Sequence, residues 1–423
     1  MCTPSASRTR EVGAALIGAL VALAATLLAS PADASGYLLF DQSAEGMGKV
    51  SAVVASTKEP AAVWYNPAGL SFVSGHQMSL TGMLYLVRTR FTQEGTGAET
   101  KADPTVSPAF AWFASGHLTD RLTLGMGVYS AWGLGAAWPP TWPGRENTVR
   151  SSMTTYTFNP TVAYRLSDHL SLGAGFDAVR AVADLTNGLP APIGGSVRVG
   201  AGAWGYGFNA GILARILPDR LHAALAYRSQ VSLSFEGKAD FDPARPEFAR
   251  DLRDQGGTSS ATLPDMLTAG LMFKTRSDIA FSAEASLIRW SVYDKQVLKF
   301  DQAPEAVAEY HFKDVVVARF GVDGPLGRSG VRLRTGLMYE QKPSRPEYLS
   351  PSLPDTHILD VAVGAGYASC WWKADLGYIL GMNWPTRATG GKESPEGTYW
   401  TTSHVVSVTF TAKLGAGPRA AGW

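Results

Sequence analysis

The amino-acid sequence predicts an all-β transmembrane fold, a 14-stranded antiparallel outer-membrane β-barrel that is plugged by a small N-terminal hatch. Three observations lead to this prediction. The chain begins with a segment typical of exported proteins, most of the remainder alternates between apolar and polar residues with a period of two, and short connections alternate with long ones. A soluble sandwich or propeller has no reason to keep short and long connections apart over a whole chain, so the pattern favours a barrel.

The first segment of the chain has the plan of a secretory signal peptide. Arg8 and Arg10 precede an uncharged apolar stretch at residues 12–29, and an Ala-Asp-Ala tripeptide at 32–34 supplies the small residues of a cleavage site. A retained membrane anchor is the alternative, because the apolar stretch is close to the roughly 18 residues that can span a bilayer. We expect residues 1–34 to be a signal peptide that directs the mature chain to the bacterial outer membrane.

Composition narrows the class of protein further. The 423 residues carry a formal net charge of +1 and only 17% of them are charged, so the basic surface of a nucleic-acid-binding protein is missing. Once the signal peptide is removed, Cys370 is the one cysteine left, and it cannot form an internal disulfide. An exported chain that is poor in charge and rich in Gly and aromatic residues is either a soluble all-β protein or a membrane barrel.

The alternation identifies strands that are longer than those of soluble sheets. Apolar side chains occupy every second position between residues 204 and 216, and the pattern resumes between 221 and 235 after a short turn. Strands of soluble sheets have about five or six residues, whereas a tilted transmembrane strand needs about 9–11 to cross the hydrocarbon. Extended along the chain, the pattern predicts 14 strands, which start near residues 77, 106, 121, 152, 170, 203, 221, 262, 278, 312, 330, 357, 370 and 403.

The connections between these strands fall into two classes. Short polar turns are predicted at 117–120, 166–169, 217–220, 275–278 and around 368, with a somewhat longer turn at 323–328. Longer segments rich in Pro, Gly, Trp and charge are predicted at 93–104, 136–150, 187–200, 237–257, 295–308, 343–355 and 385–401. Outer-membrane barrels have short periplasmic turns and long external loops, so the two classes mark the two ends of a barrel formed by residues 76–414.

Residues 35–75 differ from the rest of the mature chain because the period of two is absent. Small residues dominate the segment, and yet it holds too much apolar surface to stay in water. Its apolar residues are Leu38, Leu39, Phe40, Val50, Val53, Val54, Val63, Trp64 and Tyr65. A disordered leader is the alternative, but the apolar content favours a hatch that folds into the lumen.

The same segment resembles the N-terminal hatch of the FadL/TodX (OMPP1) family of outer-membrane transporters of long-chain fatty acids and other hydrophobic compounds. Residues 35–48 and the run Asn66-Pro67-Ala68-Gly69-Leu70 carry the resemblance. Further stretches that resemble the family are 127–129, 133–135, 142–145, 158–165, 170–175 and 263–265.

The resemblance covers nearly all of the mature chain, and it implies a 14-stranded barrel closed by a hatch. One departure concerns the C-terminus, because such barrels usually end on an aromatic residue of the last strand. Here a tail at 415–423 follows Leu414, so either Phe410 serves the assembly signal internally or the tail is an extension.

The resemblance also implies passive, diffusion-driven uptake, with capture in an external groove, transfer to a lumen pocket and lateral exit into the membrane at a kinked third strand. Glycine permits such a kink, although close packing against the hatch is the alternative reason for glycine there. The candidates for the kink are Gly125, Gly127, Gly133 and Gly135. The candidates for the walls of the capture groove are Trp138, Pro139, Pro140 and Trp142.

The carboxylate headgroup of a fatty acid would need a cation in the lumen. The candidates are Arg228, Arg332, Arg334 and Lys373. Each of them is also a candidate structural partner of Glu236, Glu340 or Asp375. Long-chain fatty acids are the first substrate class that the resemblance implies and aromatic hydrocarbons are the alternative, because the family embraces both.

Sequence motifs give no support to an enzyme, a cofactor or a metal site. Residues 200–205 match the nucleotide-binding pattern G-x-G-x-x-G but precede a strand rather than a helix. The seven His residues lack the spacing of metal ligands. The G-x-S-x-G motif of a serine hydrolase is missing from the sequence. A general porin and a barrel that binds partners through its loops are the remaining alternatives. The expected partners are hydrophobic small molecules, outer-membrane lipid and lipopolysaccharide, and the barrel assembly machinery, and we expect a monomer.

Overall fold

The chain folds into a closed antiparallel barrel. The computed structural model describes residues 38–391 and 393–414, so the predicted signal peptide and the tail after Leu414 lie outside the described residues. The last strand, β21 (Gly397–Leu414), pairs with the first, β1 (His76–Gln93), over the full 18 residues of each. This pairing closes the sheet into the predicted barrel of 14 strands and removes its edges.

Nine wall strands are continuous and five are interrupted. The continuous strands are β1, β3 (Thr105–His117), β6 (Arg150–Arg165), β7 (Leu170–Gly188), β8 (Gly195–Leu217), β17 (Val331–Glu340), β18 (Ile358–Ala368), β19 (Trp372–Asn383) and β21. The interrupted strands are β4 (Leu122–Tyr129) with β5 (Gly133–Ala137), β9 (Leu221–Arg228) with β10 (Val231–Pro243), β11 (Gln255–Leu263) with β12 (Met266–Lys274), β13 (Ala280–Ile288) with β14 (Lys295–Phe300), and β15 (Ala306–Glu309) with β16 (Val315–Pro325). Two short segments, β2 (Glu99–Lys101) and β20 (Thr386–Ala388), lie in external loops.

Within the described residues, helical elements are few and short. The α-helices are α1 (Ala44–Met47) and α2 (Ala62–Tyr65), and the 3-10 turns are η1 (Pro67–Phe72), η2 (Pro246–Phe248), η3 (Trp290–Val292) and η4 (Pro346–Tyr348). In the part of the chain that the structure describes, no helix combines the length and the apolar character needed to cross a membrane.

The two faces of the wall differ as the period of two predicts. On β1, Ser79 and Thr81 point inward and are buried, whereas Leu80 between them is 57% exposed. Its cross-strand partner Phe410 on β21 is 48% exposed. An exposed apolar face over consecutive strands is stable when hydrocarbon surrounds it, and the polar face then lines the lumen.

The predicted external loops are longer than the observed ones at two places. The loop predicted at 187–200 is wrong in extent, because β7 and β8 continue their pairing as far as Gly188 and Ser196 and leave a short connection between them. The segment predicted as a loop at 295–308 contains the hairpin of β14 and β15. In both places the backbone satisfies its hydrogen bonds by strand pairing.

The core of the protein lies inside the barrel, between the wall and the N-terminal segment at 38–75, which we call the hatch segment. Met47, Val63 and Leu70 of this segment are at most 1% exposed. They belong to one apolar cluster with Phe113 and Tyr129, which point inward from the wall. The apolar residues that suggested a hatch are therefore buried against the inner face of the barrel.

Candidate functional site

Asn66 joins the hatch segment to itself and to the wall. The residue is 0% exposed and stands immediately before η1. Its Oδ1 accepts a hydrogen bond from the backbone N–H of Ala68 at 3.0 Å, which is an N-cap interaction. Its Nδ2 donates to the carbonyl oxygens of Val54 at 3.0 Å and Ile212 at 3.2 Å. The Asn-Pro-Ala motif thus closes a turn and attaches that turn to β8.

Small and polar residues of β7 and β8 receive this turn. A Cβ atom at Gly173 would overlap the backbone of Pro67, and a Cβ at Gly211 would overlap the Asn66 side chain. Ser171 on β7 donates a hydrogen bond to the carbonyl oxygen of Ala68 at 2.8 Å. Glycine at the two contact points is therefore required by the close approach of the hatch segment to the wall.

On another side of the lumen, the hatch segment is held by charge. Lys373 on β19 forms ion pairs with Glu45 and Glu59, and Arg334 on β17 lies 3.5 Å from Glu45. Burial alone would raise the pKa of Glu45, but Lys373, Arg334 and Lys49 outweigh burial and hold that pKa well below its usual range. Burial raises the pKa of the neighbouring Glu59. The ionised Glu45 is thus the carboxylate that anchors α1 to the wall.

All four predicted headgroup residues are engaged by acidic side chains of the protein itself. Arg228 forms an ion pair with Asp177 at 2.5 Å, donates to the carbonyl oxygen of Trp64 at 3.2 Å, and lies 4.3 Å from the Trp64 ring centroid. Arg332 pairs with two aspartates at 2.5 Å each. Arg334 and Lys373 both pair with Asp375, at 2.8 and 2.9 Å. The sequence predicted Glu236, Glu340 or Asp375 as structural partners of these cations, and Asp375 is the one that forms ion pairs with them in the described residues.

Arg319 on β16 differs from these four cations in its hydrogen bonding, and it was not among the headgroup residues predicted from the sequence. It is 4% exposed and its Nη1 donates to Ser286 Oγ at 2.8 Å, but within the described residues its Nε and Nη2 have no hydrogen-bond partner. Its guanidinium lies 4.1 Å from the ring centroid of Phe40 in the hatch segment. The alternation along β16 places Arg319 on the inward face together with Val317, and this signal could have found it.

A small cavity lies next to Phe40. Its volume is about 40 Å³, and its charged lining residues are Asp41, Glu340 and Asp360. Burial raises the pKa of Asp41 to about 6, although a hydrogen bond from Ser51 and the nearby Arg319 act in the opposite direction. Glu284 is the cross-strand neighbour of Arg319. The lumen at this depth therefore combines four carboxyl groups with one arginine whose donors are only partly used within the described residues.

The third wall strand is interrupted at residues 130–132, between β4 and β5. The ladder between the second and third strands runs from the pair Ala111 and Tyr129 down to the pair His117 and Thr123. On the exterior side of the interruption, β5 pairs with β6, and the described residues show no ladder between β5 and β3. The hatch segment fills part of the break, because the Leu39 N–H donates to the carbonyl oxygen of Ala131 at 2.8 Å.

The predicted kink glycines lie on both sides of this interruption. Gly125 packs against the hatch segment, since a Cβ there would overlap Val63 and Leu70. At Gly127 a Cβ would overlap the rings of Phe113 and Tyr129. Gly133 and Gly135 begin β5 and line a cavity at the break. The first pair therefore serves close packing, whereas the second pair borders the gap.

That cavity occupies the region where the second and third strands separate. Its volume is about 390 Å³. Leu39 of the hatch segment, Val106 and Pro108 of β3, and Trp132 and Met153 give it an apolar lining, and its charged lining residues are Asp103 and Arg150. The cavity thus connects the hatch segment to a part of the wall where the ladder is open.

The two tryptophans predicted to line a capture groove are buried in a cluster of external loops. Trp138 and Trp142 are 1% and 2% exposed, and their rings stack at 4.4 Å. Trp138 Nε1 donates to the carbonyl oxygen of Pro351 at 3.0 Å. Pro139 is half-buried and Pro140 is exposed. The tryptophans hold the loops together over the mouth of the barrel, and Pro140 presents an apolar surface to the exterior.

One group of acidic side chains in the described residues has the spacing of a metal site. Carboxylate oxygens of Glu45, Glu59 and Asp375 lie within 4.8 Å of one another. Lys373 forms ion pairs with all three carboxylates, so an ammonium group already neutralises the position that a metal ion would take.

Sequence comparisons identify relatives over most of the length of this chain. A family model described as outer membrane protein transport protein (OMPP1/FadL/TodX) matches residues 25–383. A long-chain fatty acid transport protein of Escherichia coli is 25% identical over 391 residues, which cover 82% of this chain and 86% of the relative. Outer membrane protein P1 of Haemophilus influenzae is 24% identical over 413 residues, which cover 85% and 88%.

Solved structures show the same fold. A FadL homologue of Pseudomonas aeruginosa matches with a TM-score of 0.81 at 18% identity, covering 90% of this chain and 100% of that one. The toluene transporter TodX of Pseudomonas putida matches with a TM-score of 0.69 at 17% identity, covering 91% and 100%. With a family match over most of its length and the barrel fold of these structures, the chain belongs to the OMPP1/FadL/TodX family of outer membrane transport proteins.

Proposed function

We propose that the protein carries hydrophobic small molecules, long-chain fatty acids first among them, across the outer membrane by passive diffusion with lateral exit through the wall. The observation that carries the proposal is the cavity of about 390 Å³, with apolar residues from the hatch segment and the wall in its lining, at the place where the second and third strands separate. A ligand that crosses there moves from one apolar environment to another. It avoids the cost of about 0.8 kcal/mol for each methylene group that would otherwise return to water.

The hatch segment supports this route because a segment that crosses the lumen would direct a ligand to the side. It contacts β7 and β8 through the Asn66 turn and β17 and β19 through Glu45, so it reaches across the lumen. We propose that it plugs the straight path to the periplasm. A general porin would need that path open, and ions would then flow through it. Large steady single-channel currents from the purified protein in planar bilayers would therefore contradict our proposal.

Arg319 supports fatty acids as the first substrate class. Within the described residues, Nε and Nη2 of Arg319 have no hydrogen-bond partner, so a carboxylate could accept hydrogen bonds from them beside Glu284, the cross-strand neighbour of Arg319. At the four predicted headgroup residues, the donors are already taken by ion pairs with aspartate or glutamate. We propose Arg319 as the headgroup residue. Aromatic hydrocarbons are the second candidate, because the cavity at the strand break has a mainly apolar lining and needs no headgroup.

The test is uptake of oleate and of toluene by a strain that lacks the gene and carries plasmid-borne variants. Ala109→Trp fills the cavity at the break and should abolish uptake of both compounds. Ala269→Trp on the outward face of β12 is the matched control and should leave uptake unchanged. Arg319→Met should reduce oleate uptake and spare toluene. If Ala109→Trp transports both compounds at the normal rate, the lateral route is wrong.

The capture groove, the assembly machinery as a partner and the monomeric state stay predictions. The loop cluster around Trp138 and Trp142 is the place to test the groove. Replacing the exposed Pro140 with Asp should lower the rate of oleate capture at low concentration if a ligand first contacts this surface.

A further inference from the structure

A cavity of about 590 Å³ lies between the hatch segment and the end of the barrel that carries the short turns. Its lining includes Lys274 at the end of β12 and Ala368 at the end of β18, where short turns follow. Lys274 and Asp278 in the lining are 24% and 47% exposed, so water reaches the cavity. Outer-membrane barrels turn these short connections to the periplasm, and solutes of that compartment can therefore enter.

Cations outnumber carboxylates in the lining of this cavity. The wall contributes the cations Lys274, Arg332, Arg334, Lys373 and Lys413, and the hatch segment contributes Lys49 and Lys58. The carboxylates are Glu45, Glu59, Asp278 and Asp323, to which Asp375 is added as the ion-pair partner of Lys373 and Arg334. The excess of positive charge persists even without Lys58. A charge that is partly removed from water is costly unless an opposite charge lies nearby, so the cavity favours an anion.

Lys58 of the hatch segment and Lys274 of the wall are close enough to repel each other. Burial first, and then the like charge of Lys274, lower the pKa of Lys58 to about 8. Lys49 and Arg332 lower this pKa as well, and Glu45 acts in the opposite direction. Cations therefore dominate the surroundings of Lys58, at a place where the hatch segment meets the end of β12. An anion between the two lysines would replace their repulsion by attraction.

Hydrogen-bond donors of the hatch segment and of the wall surround the same place. Lys274 lies 3.2 Å from Asp278, which also pairs with Arg332 at 2.5 Å. An ammonium group has three N–H donors, so Lys274 can keep Asp278 and still donate to a second anion. Ser56 and Ser282 line the cavity as well, and their hydroxyl oxygens are 3.3 Å apart. Ser282 stands on β13, the strand that pairs with β12, so an oxyanion placed here has donors on both sides.

We infer that this place, the phosphate site, binds a phosphate group that joins the hatch segment to the wall. The donors are Lys58 and Ser56 on the side of the hatch segment and Lys274 and Ser282 on the side of the wall. A phosphate group carries a charge of about −1.5 to −2 at neutral pH and three strong acceptor oxygens, so it offsets more of the positive charge than one carboxylate would and accepts from several directions. The phosphate belongs to the free ion or to a small phosphate monoester. The inference is independent of the substrate carried through the lumen.

The first experiment titrates inorganic phosphate into the full barrel in neutral detergent micelles and measures the heat of binding, with chloride at the same ionic strength as the reference salt. Lys274→Gln should weaken phosphate binding about tenfold, which is the effect of one lost charge-assisted hydrogen bond, while Asp278 keeps Arg332 as its partner. Lys299→Gln, which replaces an exposed lysine on β14, is the matched control and should bind phosphate like the unmodified protein. Equal affinity of Lys274→Gln and the unmodified protein would overturn the site, and so would a failure of the unmodified protein to saturate with phosphate.

A second experiment uses the unmodified protein and does not depend on the folding of a variant. With phosphate at about ten times its dissociation constant, hydrogen exchange in peptides from residues 38–75 should be about tenfold slower than in chloride, because the site exists only while the hatch segment contacts the wall. Peptides from β6 should exchange at the same rate in both salts. Equal exchange of the hatch segment in phosphate and in chloride would overturn the inference. Glycerol 3-phosphate identifies the source of the phosphate group: tighter binding than inorganic phosphate assigns the site to phosphate monoesters, and weaker binding assigns it to the free ion.

Discussion

Replacing Asn66 with alanine should release the hatch segment while the barrel stays folded. The asparagine is 0% exposed and its side chain makes three hydrogen bonds, to the Ala68 N–H and to the carbonyl oxygens of Val54 and Ile212. Each such bond contributes about 1 kcal/mol net, and alanine leaves the buried partners unsatisfied. We expect the attachment to weaken by about 3 kcal/mol, which multiplies the detached population by roughly 100.

Hydrogen exchange followed by mass spectrometry measures this population directly. Amide protection in peptides from residues 38–75 should fall about 100-fold in Asn66→Ala, since exchange there reports detachment of the segment. Peptides from β12 and β13 should keep their protection, because the strand ladder holds the wall independently. The matched control is Asn187→Ala, a half-buried asparagine near the exterior end of β7.

The reasoning is refuted if Asn66→Ala keeps full protection over residues 38–75. That result would mean that the apolar contacts of the segment, such as those of Val63 and Leu70, hold it without the turn. Equal loss of protection in the segment and in β12 would also refute it, because the barrel and the segment would then unfold as one unit.

Two further predictions concern charged groups. Arg228→Met should destabilise the barrel by about 3–5 kcal/mol, because Asp177 becomes an unpaired buried charge. The midpoint of urea unfolding in lipid vesicles measures this loss of stability. Adding Asp177→Asn to the variant should recover most of the lost stability, because the buried charge is then removed. Glu309 and Asp294 raise the pKa of His311 in an external loop. Their attraction to the protonated imidazole therefore stabilises the loop fully below about pH 6.5, the ordinary pKa of histidine, and this stabilisation is lost as the pH rises through the raised pKa. Limited proteolysis of this loop should therefore be faster at about pH 9 than at about pH 6, and His311→Gln should show no such difference.

The strands could be predicted from the sequence because lipid and water impose a simple rule on a barrel wall. Every second residue faces hydrocarbon, so the alternation at residues 204–216 and 221–235 is strict and the strand count follows from it. The rule weakens where a strand leaves the membrane. Beyond the lipid, both faces of the ribbon formed by β7 and β8 meet water, and strand and loop become hard to distinguish there.

The hatch segment could be located from the sequence, but its attachments could not. The Asn-Pro-Ala motif and the apolar content of residues 35–75 are visible in the chain. The contact of Asn66 with the carbonyl oxygen of Ile212 joins positions 146 apart, and no local pattern reports such a distance. Gly173 and Gly211 likewise look like ordinary strand glycines until the turn that packs on them is known.

By itself, the sequence determined that this protein is a barrel with two distinct ends and an inward polar face, and it predicted a segment that is buried inside. These features depend on neighbours along one strand, and the period of two records them directly. The tertiary structure alone decided which charges are neutralised. Arg228 and Arg334 form ion pairs with aspartates on other strands, whereas Arg319 on β16 faces Glu284 and keeps two donors without a hydrogen-bond partner within the described residues. Closure of the sheet brings distant strands around one lumen, so the state of each lumen charge is a property of the closed barrel.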